Sequence, residues 1–210
     1  MGTNSESIRL IRINISEEHK AFFWTPAKTA SVHATTVFTL FNFEAFTSSY
    51  DRSGVIHQQN TPYSGHNLDL FEGHENYILI CTARNPITRV FSAYNYSNRN
   101  REKTVKGFRE FFSNMANEPN PFWLMGSKNF KRVPDYFIRQ EHMLEDYMKI
   151  PFIKESKIAS SGALEEMCNK KMNTTKYGLD IKDGYTQDMI DYLYNEYRWY
   201  FDTLGYEPKI

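Results

Sequence analysis

The segment from Lys20 to Phe41, KAFFWTPAKTASVHATTVFTLF, is the stretch that decides the fold of this chain. After one lysine come four apolar or aromatic residues, then a small, polar section that contains Pro26, and then a section rich in Val, Phe, Leu and Thr. This order predicts a strand over Lys20 to Trp24, a loop, and a helix from about Ser31 to Phe43. In such a unit the loop lies at the carboxyl end of the strand, where the first free N–H groups of the helix face a crevice.

The loop between this strand and helix has the features of an anion-binding site. Free N–H groups at the helix start and the positive end of the helix dipole favour a phosphate or a sulfate. The loop adds one cation, two hydroxyls and one small residue: Lys28, Thr29, Ser31 and Ala30. No glycine occurs between Gly2 and Gly54, so the GxxxxGK[ST] loop of nucleoside triphosphatases is absent.

The rest of the chain alternates predicted strands and helices. Further strands are predicted at Ile8 to Ile13, Gly54 to His57, Tyr77 to Ala83 and Tyr136 to Arg139. One further helix is predicted to begin at Asn85 and Pro86. Three more are predicted over Thr104 to Met115, Glu141 to Met148 and Thr186 to Leu204. The run YILICTA, Tyr77 to Ala83, is continuously apolar, which is typical of a central parallel strand buried on both faces. We therefore predict an α/β fold, with one three-layer domain over residues 1–210 and a central, mostly parallel sheet.

Composition limits the partners of the chain. The 210 residues include 25 Lys and Arg and 25 Asp and Glu, and the resulting zero net charge disfavours a nucleic-acid-binding protein. Cys81 and Cys168 are the only cysteines and form no CxxC or Cys/His pattern, so we expect no metal. No run approaches the roughly 20 apolar residues that cross a bilayer, and the N-terminus lacks a secretory pattern. These features predict a soluble, cytoplasmic protein with no membrane insertion.

A second anion-binding motif follows the predicted central strand. Arg84 comes directly after that strand, in the segment RNPITRVFSAY, and Ser92 lies eight residues later. Asn85 can cap the following helix and Pro86 suits its first position. Ser92 would then lie about two turns into the helix, on a face that can turn toward Arg84. An arginine fork with a hydroxyl is a good receptor for a dianionic phosphate.

Both motifs resemble those of sulfotransferases that use the sulfuryl donor PAPS. The first loop is similar to the 5′-phosphosulfate loop of that family, PK-T-A/G-S-T, but Ala27 separates Pro26 from Lys28, and Val32 with His33 replaces the usual Thr-Ser. The second segment resembles the 3′-phosphate motif, RdPydRvvSaY, with Asn85 in place of Asp and different variable positions. The resemblance implies a P-loop-like sulfotransferase architecture.

The likeness extends over most of the chain from Ala21 onward. Phe137 to Tyr147, FIRQEHMLEDY, is similar to the family segment R-x-E-x-L-x-x-D, and the C-terminal region is similar to the closing Asn, loop, Tyr-Thr and long helix. By this resemblance, the residues that would close over the nucleotide are Asn173, Thr174 and Thr175, with Lys170 or Lys171.

The resemblance also suggests a catalytic base. In the group that includes heparan sulfate 2-O-sulfotransferases, a catalytic histidine lies in a Y-x-G-H stretch between the two motifs, where this chain has Tyr63 to His66. A histidine has an ordinary pKa of about 6.5 and can take a proton from an alcohol near neutral pH. His57 and His33 are alternative bases, the latter because it lies beside the anion loop.

The predicted reaction is transfer of a sulfuryl group from PAPS to a hydroxyl acceptor, which leaves PAP and needs no metal. Lys28 would neutralise the leaving oxygen, the helix N–H groups would hold the sulfate, Arg84 and Ser92 would bind the 3′-phosphate, and His66 would activate the acceptor. Family analogy favours a carbohydrate acceptor, which loop residues 120–131 could contact. The alternatives are a kinase that phosphorylates a small molecule with ATP, and a module that binds a nucleotide or glycan without catalysis.

Overall fold

The computed structural model describes residues 12–26, 28–45, 73–116, 133–170 and 178–210. Within these ranges the chain forms a five-stranded sheet in the order β3-β1-β2-β4-β5. The strands are β1 (Arg12–Ser16), β2 (Ala21–Thr25), β3 (Glu44–Ala45), β4 (Ile78–Ala83) and β5 (Tyr136–Arg139). The strands predicted at β2, β4 and β5 are therefore confirmed, whereas the one predicted at Gly54 to His57 lies outside the described residues.

The three strands at the centre and one edge of the sheet run parallel. Strand β2 pairs with β4 in parallel, with Trp24 opposite Cys81, and β4 pairs with β5, with Ala83 opposite Arg139. Because parallel strands point the same way, their carboxyl ends meet at one edge of the sheet. The loop after β2 and the residue after β4 therefore lie side by side.

The first strand differs from its prediction. It spans Arg12–Ser16 and is antiparallel to β2, with Ser16 opposite Ala21. The prediction of Ile8 to Ile13 overlaps it at two positions, and residues 8–11 lie outside the described part. Pairing across a short turn sets the register of this strand, and the alternation of apolar and basic residues does not contain that information.

Helices cover both faces of the sheet. They are α1 (Ser31–Thr39), α2 (Pro86–Ser97), α3 (Val105–Ala116), α4 (Met143–Tyr147), α5 (Pro151–Lys154), α6 (Lys157–Ser160), α7 (Ala163–Asn169), α8 (Ile181–Gly184), α9 (Gln187–Glu196) and α10 (Arg198–Leu204). A 3₁₀ turn, Gln140–His142, joins β5 to α4. The predicted α/β class is therefore confirmed.

Two hydrophobic cores lie on opposite faces of the sheet. Alternating strand residues point to opposite faces, so Ile80 and Ile138 join one core with α1 and α4, while Ala83 and Phe137 join the other with α2, α3, α9 and α10. Strand β2 is buried along its whole length, as expected for a strand covered on both sides. The described elements thus form three layers.

Two predicted helices end or break at positions that no local sequence pattern marks. Helix α1 ends at Thr39 rather than Phe43, because Asn42 adopts a left-handed backbone (φ 57°) and Phe43 N–H turns back to donate to the carbonyl of Phe38. The helix predicted over Thr186 to Leu204 is instead α9 and α10, separated at Tyr197. The apolar spacing continues through the break. Such spacing indicates which face of a helix is buried, but it does not indicate whether every backbone hydrogen bond of the helix is made.

The helix predicted over Glu141 to Met148 is also shorter than expected. Its first part is the 3₁₀ turn and only Met143–Tyr147 is α-helical. In the described residues, no helix combines the length and the apolar character needed to cross a bilayer.

Candidate functional site

The loop between β2 and α1 adopts glycine-like backbone conformations without a glycine. Lys28 has φ 65° and Ala30 has φ 61°, both in the left-handed region. Such conformations are strained for residues with a Cβ atom and cluster at functional sites, although they also occur at ordinary turns, as at Asn42 in this chain. Left-handed residues within a turn can also direct successive N–H groups into one concavity that suits an anion. These backbone conformations are compatible with an anion site, although the loop lacks the usual glycines.

The start of α1 leaves this concavity open to an anion. Ala30 is the N-cap residue, and no side chain caps the first turn. The first turn contains no acidic residue, so nothing there offsets the positive end of the helix dipole. Ser31, the first helical residue, is half-buried beside the loop.

Thr29 anchors the loop rather than offering a hydroxyl to a ligand. Its side chain is buried, and its Oγ1 donates to the carbonyl of Pro26 at 2.6 Å. The same Oγ1 lies 2.6 Å from Thr82 Oγ1, and because the single Thr29 proton is already used, Thr82 is the donor in that pair. With its hydroxyl engaged by the protein, Thr29 would meet a ligand through its backbone, and its predicted contact with an anion stays a prediction.

Arg84 reaches from the end of β4 toward the same loop. Its Nε donates to Thr88 Oγ1 at 3.0 Å, and its Nη1 makes a longer contact of 3.5 Å to the backbone carbonyl of Lys28. The two regions that the sequence predicted to bind anions are thus in direct contact. Their basic residues lie on one edge of the sheet, where a ligand with two anionic groups could span them.

Helix α2 begins as the sequence predicted. Asn85 is its N-cap, where the side-chain Oδ1 accepts from Ile87 N–H at 2.9 Å, and Pro86 occupies the first turn. The Asn85 amide also donates to the carbonyl of Glu207 at 3.3 Å. An aspartate could cap the helix equally well but could not make this second bond, so the departure from the family motif leaves the helix start intact.

Three residues one turn apart on α2 connect Arg84 to Lys28. Thr88 contacts Arg84, and the Lys28 ammonium nitrogen lies 3.9 Å from the centroid of the Tyr96 ring. Ser92 lies one turn from each, on the same side of the helix. Ser92 is itself buried, and its predicted contact with a 3′-phosphate stays a prediction.

Burial and charge perturb Lys28. Desolvation is the main cause that lowers the pKa of its ammonium, and the positive charge of Arg84 lowers it further. Its contact with Tyr96 is of the cation–π type, which lets the half-buried ammonium remain charged beside the helix.

A groove opens beside Arg84. Its volume is about 530 Å³, and it is lined by Arg84, Thr88 and Phe91 together with residues 178–181. Apolar side chains next to an arginine fork and a hydroxyl suit a ligand that has both a flat ring and an anionic group. Arg89, the second arginine of the motif, is by contrast buried, and this burial lowers the pKa of its guanidinium.

His33 is poorly placed to act as a base. Its side chain is 6% exposed, and its Nε2 donates to the carbonyl of Met167 at 2.9 Å, which assigns the proton to Nε2. Its Nδ1 is buried without a hydrogen-bond partner, and the centroids of the His33 and Tyr147 rings are 6.2 Å apart. An acceptor hydroxyl could not reach it without disrupting the core, so the structure argues against this alternative base.

Several predicted site residues lie outside the described part of the chain: His57, His66, Lys171, Asn173, Thr174 and Thr175. Ala27, which interrupts the first motif, also lies outside it. Lys170, the C-cap of α7, is described and exposed. Among the described residues, no group of three His, Cys, Asp or Glu side chains could hold a metal ion.

Three residues that contact the candidate site residues were not predicted from the sequence. Thr82 ties down the loop, Thr88 holds Arg84, and Tyr96 holds Lys28. Thr88 and Tyr96 could have been predicted, because each lies four residues from Ser92 on a predicted helix and therefore on the same side of it. Thr82 could not have been predicted, because its contact joins residues 53 positions apart.

Comparisons with models of protein families, with curated proteins and with solved structures found no match for this chain.

Proposed function

We propose that this protein is a sulfotransferase that moves a sulfuryl group from PAPS to a hydroxyl acceptor, with a P-loop-like sulfotransferase fold. The observation that carries the proposal is the direct contact between its two anion-binding regions, in which Arg84 Nη1 lies 3.5 Å from the Lys28 carbonyl. PAPS has a phosphosulfate at its 5′ end and a phosphate at its 3′ position. Two adjacent anion sites at the carboxyl edge of a parallel sheet suit such a nucleotide.

Each group of the donor has a matching region in the proposal. The loop at Lys28 to Ser31, with the uncapped start of α1, holds the 5′-phosphosulfate. Arg84 and Ser92 hold the 3′-phosphate, and the groove beside Arg84 accepts the nucleoside. Asn173 and Thr174 complete the nucleotide site by resemblance.

The proposed chemistry is an in-line displacement. The acceptor oxygen forms a bond to sulfur while the bond from sulfur to the bridging phosphate oxygen breaks, and the electron pair leaves on PAP. Negative charge therefore grows on the bridging oxygen, where the Lys28 ammonium stabilises it. The acceptor proton goes to a base, which resemblance assigns to His66. Catalysis of this kind depends mainly on positioning and electrostatics, as in phosphoryl transfer.

The acceptor in this proposal is a carbohydrate or another small alcohol. The experiment that tests the proposal incubates the purified protein with PAPS and a panel of glycans, phenols and small alcohols, and measures PAP release. We expect PAP release that depends on both donor and acceptor, and a sulfated product by mass spectrometry.

Two other outcomes would contradict the proposal. Phosphorylation of an acceptor with ATP in place of PAPS would identify a kinase. Tight binding of PAP without sulfation of any acceptor in the panel would support a nucleotide-binding module that lacks catalysis.

A further inference from the structure

We propose that Thr88 is a positioning residue that fixes Arg84 for recognition of the 3′-phosphate, an inference that rests on the proposed function. The sequence resemblance does not assign any role to this position, which lies among the variable residues of the motif. The structure assigns one, because Arg84 Nε donates to Thr88 Oγ1 at 3.0 Å.

The hydroxyl of Thr88 is held on both sides. Its oxygen accepts from Arg84, and its proton is donated to the carbonyl of Asn85 at 3.1 Å, with Glu141 Oε1 slightly further away at 3.4 Å. A hydroxyl that donates to the backbone one turn earlier has a fixed direction. Its lone pair is therefore a fixed acceptor for Arg84, in a position set by the start of α2.

Fixing Nε constrains the whole guanidinium, because that group is planar and rigid. One N–H is used on Thr88 and one of the Nη1 protons on the Lys28 carbonyl. The second Nη1 proton and both Nη2 protons take no part in these two hydrogen bonds. These donors form the edge that can bind two oxygens of one phosphate, and Arg84 and Thr88 line the same groove.

A long arginine side chain without this bond would sample several rotamers. Ordering it would then oppose phosphate binding, so affinity would fall although the charge remained. Thr88 thus determines specificity: it sharpens the preference for a nucleotide that carries a 3′-phosphate. Because Thr88 also lines the groove assigned to the nucleoside, its loss can weaken every nucleotide somewhat, but a nucleotide that lacks the 3′-phosphate should lose much less affinity than one that carries it.

The test compares two probes that differ only in the 3′-phosphate, PAP and AMP, by calorimetric titration. Thr88→Val keeps the shape of the side chain but removes the hydroxyl, whereas Thr88→Ser keeps the hydroxyl. We expect Thr88→Val to reduce the ratio of PAP to AMP affinity by roughly 10-fold, mostly through PAP, and Thr88→Ser to keep the ratio within about 2-fold.

Two variants separate positioning from loss of structure. Thr88→Ala also lacks the hydroxyl but favours the helix, so it should give the same fall in the ratio even if Thr88→Val does not fold. Thr39→Val removes an exposed hydroxyl at the far end of α1, where Oγ1 donates to the Thr35 carbonyl at 2.8 Å, and should leave the ratio unchanged.

The inference is overturned if the variants without the hydroxyl weaken PAP and AMP equally, or if Thr88→Ser loses the ratio as well. A fall in melting temperature with an unchanged ratio would assign Thr88 a structural role only, and would also overturn it. If the wild-type protein itself does not prefer PAP over AMP, the proposed function fails as well. The two failures are therefore distinguishable.

Discussion

The two regions proposed to bind anions are built in different ways. The loop at Lys28 to Ala30 would act through its backbone, which is held in left-handed conformations at two residues with side chains. The region at Arg84 would act through a side chain, on a helix start that has an ordinary Asn cap and a proline in its first turn. One region is strained and the other is relaxed, although they are in contact.

The difference shows what each region can contribute. A backbone site holds an anion close to a fixed set of N–H groups, which suits a group that must be aligned for reaction. A guanidinium at the end of a side chain binds a phosphate strongly but at a distance from the reacting atoms. We therefore expect changes at Lys28 to affect turnover, and changes at Arg84 to affect nucleotide affinity.

The largest effect is expected for Lys28→Ala. Because Lys28 meets a charge that grows only as the sulfuryl group leaves, turnover with PAPS should fall by roughly 10²–10³. PAP lacks the sulfuryl group and should bind within a few-fold of wild type. Initial rates at saturating PAPS and calorimetry with PAP measure the two quantities.

Lys106→Ala is the matched control for this change. Lys106 is an exposed lysine on α3 that pairs with Glu110, and its loss should change neither quantity. A Lys28→Ala variant that lost PAP affinity and kept its turnover would reverse the assignment of the two regions.

The next largest effect is expected for Arg84→Ala. Hydrogen bonds to a charged group contribute about 1.5–3 kcal/mol, so the binding free energy of PAP should weaken by that amount while AMP binding hardly changes. The control is Arg198→Ala, which removes an exposed arginine 5.2 Å from the Tyr194 ring. Equal losses for PAP and AMP would exclude a contact with the 3′-phosphate.

The sequence predicted the second region more completely than the first, for a physical reason. A buried strand, a capping Asn and a Pro in the first turn are local signals, so β4 and the start of α2 were predicted correctly. The loop that contains Lys28 and Ala30 is joined to β4 by the contact between the Thr29 and Thr82 hydroxyls, which lie 53 positions apart in sequence. No local pattern contains that contact.

The same limit explains the other differences. The apolar spacing around Tyr197 predicts the buried face of the C-terminal helices but not the break between them. The burial of His33 against Met167 depends on α7, a helix that the sequence analysis did not predict. Elements were predicted where local signals define them, whereas a contact made by a distant segment, such as that between the Thr29 and Thr82 hydroxyls, was not predicted.

A smaller effect is expected from Ala30, and it tests the strain directly. A residue with a Cβ in a left-handed conformation costs roughly 1–2 kcal/mol, which glycine avoids at the expense of a more flexible unfolded chain. Ala30→Gly should therefore change the free energy of unfolding by less than about 1 kcal/mol and keep PAP binding. Ala30→Val places a branched side chain there and should destabilise the protein by about 1–2 kcal/mol or more.

Chemical denaturation of both variants provides the measurement. If Val were tolerated as well as Gly at this position, the loop would not have the left-handed backbone on which its anion site depends.

The smallest expected effect is a coupling between the two regions through charge. Burial, and then Arg84, lower the pKa of Lys28 in the free protein, and the protonated form is the one that stabilises the leaving oxygen. The value of kcat/KM should therefore fall as the pH rises, with a midpoint below the ordinary lysine pKa of about 10.4. Lys28→Arg should remove this alkaline limb, since arginine stays charged.

Arg84→Gln should move the same midpoint upward, because the neighbouring positive charge is gone. A midpoint that did not move would mean that the two regions do not interact electrostatically, in spite of their contact.

The most direct test of the two-region site is a set of calorimetric titrations of the wild-type protein with PAP, AMP and ATP under the same salt and pH. A site that binds one anion in the loop and a second at Arg84 predicts that PAP binds roughly 10- to 100-fold more tightly than AMP, and more tightly than ATP. Equal affinities for PAP and AMP, or a preference for ATP, would contradict the account.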